Sequence, residues 1–245
     1  MLFVLFVIFV VCSFRMHLAK PRIDIGLNTN TLEPMLEFWQ QVVGLPFDHM
    51  LPVRKGMRQH RHELLGSVLK INHYREPLPS HGPSGYRELL IAREDIREVR
   101  SLQDPDGNRV TLVPPGTLGI TRMGVRVGVR DIDAHASFYE RALGLPRLAT
   151  REHGPAFLAG DSVVLLEQDL AASSDATIEG AGWRYITFQV FKVDAEHATV
   201  LANGGREARA PVTLGQTARI SMVRDPDGNW IELSQRASIT GDLSS

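Results

Sequence analysis

The chain repeats itself, and that repeat restricts its folds more than any other property. The string Asp-Pro-Asp-Gly-Asn occupies 104–108 and again 225–229, 121 residues later. Gly-Leu-Pro at 44–46 recurs at 144–146, and Phe38-Trp39 is answered by Phe138-Tyr139, both at an offset of 100. Tyr86-Arg87 is matched by Trp183-Arg184 at an offset of 97. Two copies are therefore expected, over 21–115 and 119–236, followed by a tail over 237–245. Between the aromatic-Arg pair and Asp-Pro-Asp-Gly-Asn the offset grows from 97 to 121, so the second copy carries 24 extra residues there. These start as an amphipathic helix from Asp194 and stop at Gly204-Gly205. The first copy has only a short charged stretch at that point and is expected to have a truncated second half.

Each copy divides again. Residues 22–30 alternate apolar and polar side chains, the period of a strand with one buried face. Leu32, Met35, Leu36, Trp39 and Val43 then recur at helical spacing, and Gly44 stops the helix. Residues 124–144 repeat this unit, with Asp131 placed to cap the helix. Hairpin-like strands follow over 57–65 with 67–74, and over 156–160 with 162–168. A second half-unit starts at 87–92 and at 185–190, and each copy closes with the Asp-Pro-Asp-Gly-Asn turn and a strand. In that turn proline presets one φ and glycine supplies the positive φ. The Pro-rich stretch 77–85 joins the half-units of the first copy.

Composition excludes several functions. The only cysteine is Cys12, so the body from Met16 onward has no disulfide, thiolate metal site or cysteine nucleophile. A formal net charge of -1 gives no reason to expect nucleic acid or an anionic membrane as partner. No Gly-rich phosphate loop, nucleophile elbow or His-Glu-x-x-His helix is present. Residues 1–14 are almost wholly apolar, shorter than the ~18 residues a membrane span needs. This 1–15 leader reads either as a short anchor, with Arg15, Lys20 and Arg22 holding the body on the cytoplasmic side, or as sequence upstream of a start at Met16. The expected location is cytoplasmic.

Strand, then a helix ending in Phe-Tyr-x-x-Ala-Leu-Gly-Leu-Pro (138–146), then strands closing with Asp-Pro-Asp-Gly-Asn-Trp-Ile-Glu-Leu (225–233) resembles the vicinal oxygen chelate superfamily. That group includes glyoxalase I, extradiol dioxygenases and bleomycin-resistance proteins, and the resemblance spans about 21–236. It implies an α+β fold of tandem βαβββ units whose mixed sheets form cups, with helices packed outside. It also implies a divalent metal held by side chains of the first and last strands of each unit, where two neighbouring oxygens of a substrate can chelate it.

On this resemblance, the closing-strand carboxylate of the second copy is Glu232, facing the cup because Ile231 and Leu233 face the helices. The other positions fall on Gly124, Tyr185 and about Leu165 in the second copy, and on Asp24, Glu88, Thr111 and Lys70 in the first. The usual histidines are missing. Iron, manganese, zinc or nickel at Glu232 and no metal at all are equally compatible with this set. Glu232 and Tyr185 are the catalytic candidates, a general base and a proton donor, against plainer roles as a solvated carboxylate and a packing ring. Asp24, Lys70, Glu88 and Arg184 are substrate-binding candidates, against a structural ion pair for the first three and a strand-end tie for Arg184 and its counterpart Arg87. His60, His62 and His73 could chelate a metal from one strand face, but a plain surface face competes. His135 is expected at the surface of its helix and His153 near the rim of the cup. The function expected is a lyase, isomerase or dioxygenase-like enzyme acting on a small oxygenated molecule in a cup of the second copy. The alternative is a non-catalytic binding or sequestering protein of the same fold. The expected partner is a small molecule, with a homodimer left open.

Overall fold

The computed structural model describes residues 14–149, 154–241 and 243; the leader through residue 13, including Cys12, and His153 lie outside the described residues. The first repeat runs β1 (Leu18–Thr29), α1 (Leu32–Glu37, continued as a π-helical turn, Phe38–Val42), β2 (Phe47–Arg54), β3 (Met57–Leu64) and β4 (Ser67–Tyr74). It continues through β5 (Tyr86–Ala92), β6 (Arg100–Gln103) and β7 (Arg109–Val113), with no helix between β5 and β6. The second repeat runs β8 (Met123–Val129), α2 (Ile132–Ser137, continued as a π-helical turn, Phe138–Ala142), β9 (Arg147–Leu148), β10 (Ala156–Ala159) and β11 (Ser162–Gln168). It ends with β12 (Gly182–Val190), α3 (Val193–Ala202), β13 (Arg206–Leu214), β14 (Ala218–Arg224), β15 (Trp230–Arg236) and α4 (Ala237–Thr240).

The repeated sequence marks become repeated geometry. Asp131 accepts from the N–H groups of Asp133 and Ala134 and starts α2, as its position predicts. The aromatic pairs ride on the π-helical turns and meet edge to face, at 5.2 Å for Phe38–Trp39 and 5.5 Å for Phe138–Tyr139. Gly44 and Gly144 then end the helices at φ +81° and +62°, a conformation that costs glycine least. In both Asp-Pro-Asp-Gly-Asn turns the first aspartate accepts from the next-but-one N–H and from the asparagine's backbone and side chain. These carboxylates are occupied as turn formers.

The strand pairing overturns one expectation. The repeats do not each close a cup. One sheet runs β13-β14-β15-β12-β1-β4-β3-β2 and the other β6-β7-β5-β8-β11-β10-β9. The first half of repeat one thus pairs with the second half of repeat two, through β1 and β12, and the inner halves pair through β5 and β8. The cup that holds Glu232 is therefore shared between the repeats and is not a property of 119–236 alone. Cross-ties fix the exchange: Tyr86 donates its hydroxyl to the Trp230 carbonyl at 2.9 Å, and the Gly85 N–H donates to Asn229 at 2.5 Å. Ile23, Ile25, Leu27, Ile186, Phe188, Ile231 and Leu233 of the first sheet join Leu89, Ile91, Val125 and Val127 of the second, with Trp39 and Tyr139 from the helices, in one buried cluster. The apolar face of every central strand is consumed there, which leaves the opposite faces to line the two cups.

Candidate functional site

Three in-register residues open the shared cup. Asp24 of β1 sits opposite Thr187 of β12, and Thr187 beside Glu232 of β15. Their neighbours Ile25, Ile186, Ile231 and Leu233 lie in the core, so alternation sends the polar three to the concave side. Lys70 of β4 pairs with Gly26 and enters from the other flank. Its ammonium donates to the Thr187 hydroxyl at 2.6 Å and to Glu232 at 3.0 Å. The Lys70 side chain is 3% exposed and that of Glu232 14%.

Around this core the polar side chains are held tightly. Asp24 accepts from Lys20 at 2.7 Å, from the Val68 N–H at 2.9 Å and from Gln189 at 3.0 Å. Burial works to raise the Asp24 carboxyl's pKa, but Lys70 and Lys20 together with those donors hold it below its ordinary value. Burial also depresses the Lys70 ammonium, against the raising influence of Glu232 and Asp24. Tyr185 lays its ring across Gly26, with Lys70 Nζ 5.2 Å from the ring centroid. Its hydroxyl accepts from Asn72 at 3.2 Å and from Gln59 at 3.4 Å, and burial raises its pKa far above the ordinary tyrosine value. Gln59 also donates to Asn72 and accepts from Arg61, both at 2.9 Å.

Asp24, Lys70, Tyr185 and Glu232 are therefore brought together, although the sequence assigns the first two to one repeat and the last two to the other. Glu88 is separated from them. It lies in the second sheet and is bound to Thr111 at 2.5 Å and Arg126 at 2.8 Å. That second cup is apolar where Leu90, Val163 and Leu165 gather and Ile120 of the inter-repeat linker lies close to Gly124, and polar where Glu88, Thr111 and Arg126 meet on the same face.

On β12 the register partner of Asp24 and Glu232 is Thr187, two residues beyond the expected Tyr185 on the same face, and a β-bulge precedes both. Gly26 pairs with Tyr185 but Leu27 with Trp183, so Arg184 is the extra residue and the alternation changes phase there. Arg87 is the extra residue at the same place in β5. The repeated aromatic-Arg pair thus marks a bulge in both repeats. The Arg184 guanidinium donates to the carbonyls of Ala181, Gly82 and Thr177, as a strand-end tie would. Arg87 pairs with Asp169 at 2.6 Å.

The histidines behave differently from expectation. His60, His62 and His73 share the helix-facing side of the sheet, where His62 is fully buried and contacts Gln40 at 3.2 Å. Burial, followed by the charge of His60, lowers the His62 imidazole to about 4. His135 is also fully buried, 3.5 Å from Asp225 and 3.6 Å from Asp227, because α2 packs against the second Asp-Pro-Asp-Gly-Asn turn. Among the described residues no group of three or more His, Cys, Asp or Glu side chains is placed to hold a metal. The family's metal does not fit the residues present. Its four strand positions carry Asp24, Lys70, Thr187 and Glu232, and a bonded ammonium stands where the donors would converge. A cleft of about 490 Å3 that includes Gly44, Pro46, Arg93 and Arg122 involves none of the cup residues.

Sequence reasoning missed Gln59, Arg61, Asn72, Thr187 and Gly26. Parity with Lys70 would have found Asn72, and the alternation of 57–64 would have separated Gln59 and Arg61 from His60 and His62. No local signal announces the pairing of β1 with β12.

Residues 121–233 match the model of the Glyoxalase/Bleomycin resistance protein/Dioxygenase superfamily. The fold is similar to that of a glyoxalase I mutant from Zea mays, with a TM-score of 0.72 and 16% identity over 94% of this chain and 96% of that one. It is also similar to a putative dioxygenase from Bacillus subtilis, with a TM-score of 0.66 and 13% identity over 95% of this chain and 92% of that one. No curated protein matches the chain. Among the described residues no helix is long and apolar enough to cross a membrane.

Proposed function

We propose, for a chain whose residues 121–233 belong to the Glyoxalase/Bleomycin resistance protein/Dioxygenase superfamily, that the cup shared by the two repeats takes a small oxygenated molecule. In this reading Lys70, in place of a divalent metal, supplies the positive charge that the molecule's oxygen meets. The observation that carries it is the Lys70 ammonium, donating to Thr187 and Glu232 at the convergence of the four strand positions. A fixed cation in a water-poor cup stabilises negative charge developing on a carbonyl or hydroxyl oxygen without reorganising. The Tyr185 hydroxyl accepts from two amides, so its proton is available to the same oxygen. Glu232, the more exposed partner of Lys70, is the base that takes a proton from the bound molecule. The chemistry this supports is metal-independent proton transfer of the isomerase or lyase kind, in the cytoplasm. Non-catalytic binding is favoured by one observation only: Lys70, Glu232 and Thr187 already satisfy one another.

The test is elemental analysis of full-length protein purified without chelator, followed by deuterium exchange into hydroxyacetone in D2O. We expect no stoichiometric metal, and exchange that is lost in Glu232→Gln. Stoichiometric metal that falls in Glu232→Gln would refute the role of Lys70. Retained hydroxyacetone binding without exchange would leave the binding protein.

A further inference from the structure

The charges of the shared cup do not balance. Asp24 and Glu232 are matched by Lys20 and Lys70. Two arginines remain. Arg61 on β3 lies opposite Lys70 on β4, hence on the concave face, and its side chain is buried at 5% exposure. Among the described residues its side chain bonds only to the neutral Gln59, and its Nε is buried without a partner. Arg236 ends β15 two pleats beyond Glu232, also on the concave face, and its Nε is likewise buried without a partner. Neither arginine has a carboxylate within ion-pair distance among the described residues. The two cations also act on each other: burial, then the Arg61 charge, depresses the Arg236 guanidinium, and Glu232 and Asp24 only partly offset this. A guanidinium drawn from water without a counter-ion is costly, and the buried Arg61 with the half-buried Arg236 on one concave face leaves an excess positive charge beside the Lys70 ammonium.

We infer that the molecule this cup takes is an organic acid whose carboxylate is seated by Arg61 and Arg236, next to the oxygen that meets Lys70. The inference rests on the reading that the cup is the binding site, and it narrows the ligand class to anions. Arginine suits the task because its planar fork offers two parallel N–H groups to a carboxylate, and it stays charged where lysine would titrate. Anion binding also accounts for keeping two unmatched cations, one buried and one half-buried, on the same concave face. A carboxylate joined to a vicinal oxygen, as in a 2-oxo or 2-hydroxy acid, would place one oxygen pair on the arginines and leave the neighbouring oxygen for Lys70.

The experiment is calorimetric titration of the full-length protein with oxalate and, separately, with neutral diacetyl. The proteins are the parent, Arg61→Met, Arg236→Met and Lys70→Met. Oxalate is expected to bind the parent and to bind each arginine variant about tenfold or more weakly, the loss of a hydrogen bond to a charged group. Diacetyl is expected to be unaffected by the arginine changes and weakened by Lys70→Met. Arg61→Lys, which keeps the charge and loses the fork, should fall between parent and Arg61→Met. In the ligand-free state Arg236→Met should unfold no more readily than the parent, since no carboxylate loses its partner. Diacetyl binding without oxalate binding, or oxalate binding unchanged in both arginine variants, overturns the inference and leaves the cup in place. Failure of Lys70→Met to alter either titration overturns the cup reading itself. A marked loss of stability in ligand-free Arg236→Met identifies a structural arginine and overturns its role here.

Discussion

Lys70 and Glu232 form the buried pair on which the polar cup depends, and a double-mutant cycle isolates it. Lys70→Met removes the cation from a site where the ammonium is 3% exposed. Asp24 keeps Lys20, the Val68 N–H and Gln189, so the carboxylate left without a charged partner is Glu232. Breaking one side of a buried ion pair costs about 3–5 kcal/mol; with Glu232 still 14% exposed, the lower end, about 3 kcal/mol, applies. Glu232→Met strands the more deeply buried Lys70, which retains Thr187 and the field of Asp24, and should cost about the same. The double substitution removes both charges and replaces them with apolar volume, so it should cost no more than either single change. The coupling is then about 3 kcal/mol, the upper part of the range for residues in direct contact. Urea unfolding at neutral pH reads all four proteins, and an unchanged slope shows that the denatured state is not responsible. Additive single effects would refute the reasoning, because they mean that the two groups do not share their energetics.

Two further outcomes follow from other parts of the same sheet. In Gly26→Ala the added Cβ would overlap two ring carbons of Tyr185, which Asn72 and Gln59 hold by its hydroxyl; overpacking of this kind should cost about 1–3 kcal/mol by denaturant unfolding, and an unaffected variant would mean that the ring does not rest on β1. His62 has an imidazole lowered from an ordinary 6.5 to about 4, so it contributes stability above pH 6.5 that is lost as pH falls towards 4. Stability should drop by about 2.5 kcal/mol more between pH 7.5 and 4.5 in the parent than in His62→Gln, and equal pH dependence would show that His62 is not the buried neutral group.

How far the fold and site could be read from the sequence depends on the range over which each signal acts. The repeats, the Asp131 cap, the helix-ending glycines and the Asp-Pro-Asp-Gly-Asn turns are local chemistry, and they stand where the sequence puts them. The facing of Glu232 was legible for the same reason, because two-residue alternation is a local property of β15. Strand partners are not local. Nothing in 22–30 specifies pairing with 182–190 rather than with 86–92, so the sequence groups Asp24 and Lys70 with Glu88, whereas the strand order places them with Glu232. Thr187 shares its face with Tyr185, and only the pairing of β12 with β1 and β15 decides which of the two meets Asp24 and Glu232.

The exchange of halves also explains how the two concave faces of one chain came to differ. Each cup draws on both copies, so either can diverge without the other losing its support. In the inner sheet Leu90, Val163 and Leu165 line one part of the concave face under the linker residue Ile120, while Glu88, Thr111 and Arg126 bond to one another on the rest of it. In the outer sheet the same concave face keeps Asp24, Lys70, Thr187 and Glu232, with Arg61 opposite Lys70. Apolar filling is the cheaper solution wherever packing alone matters. Both concave faces retain ions; what sets the outer one apart among the described residues is a buried lysine, Lys70, bonded to Thr187 and Glu232 of the other repeat.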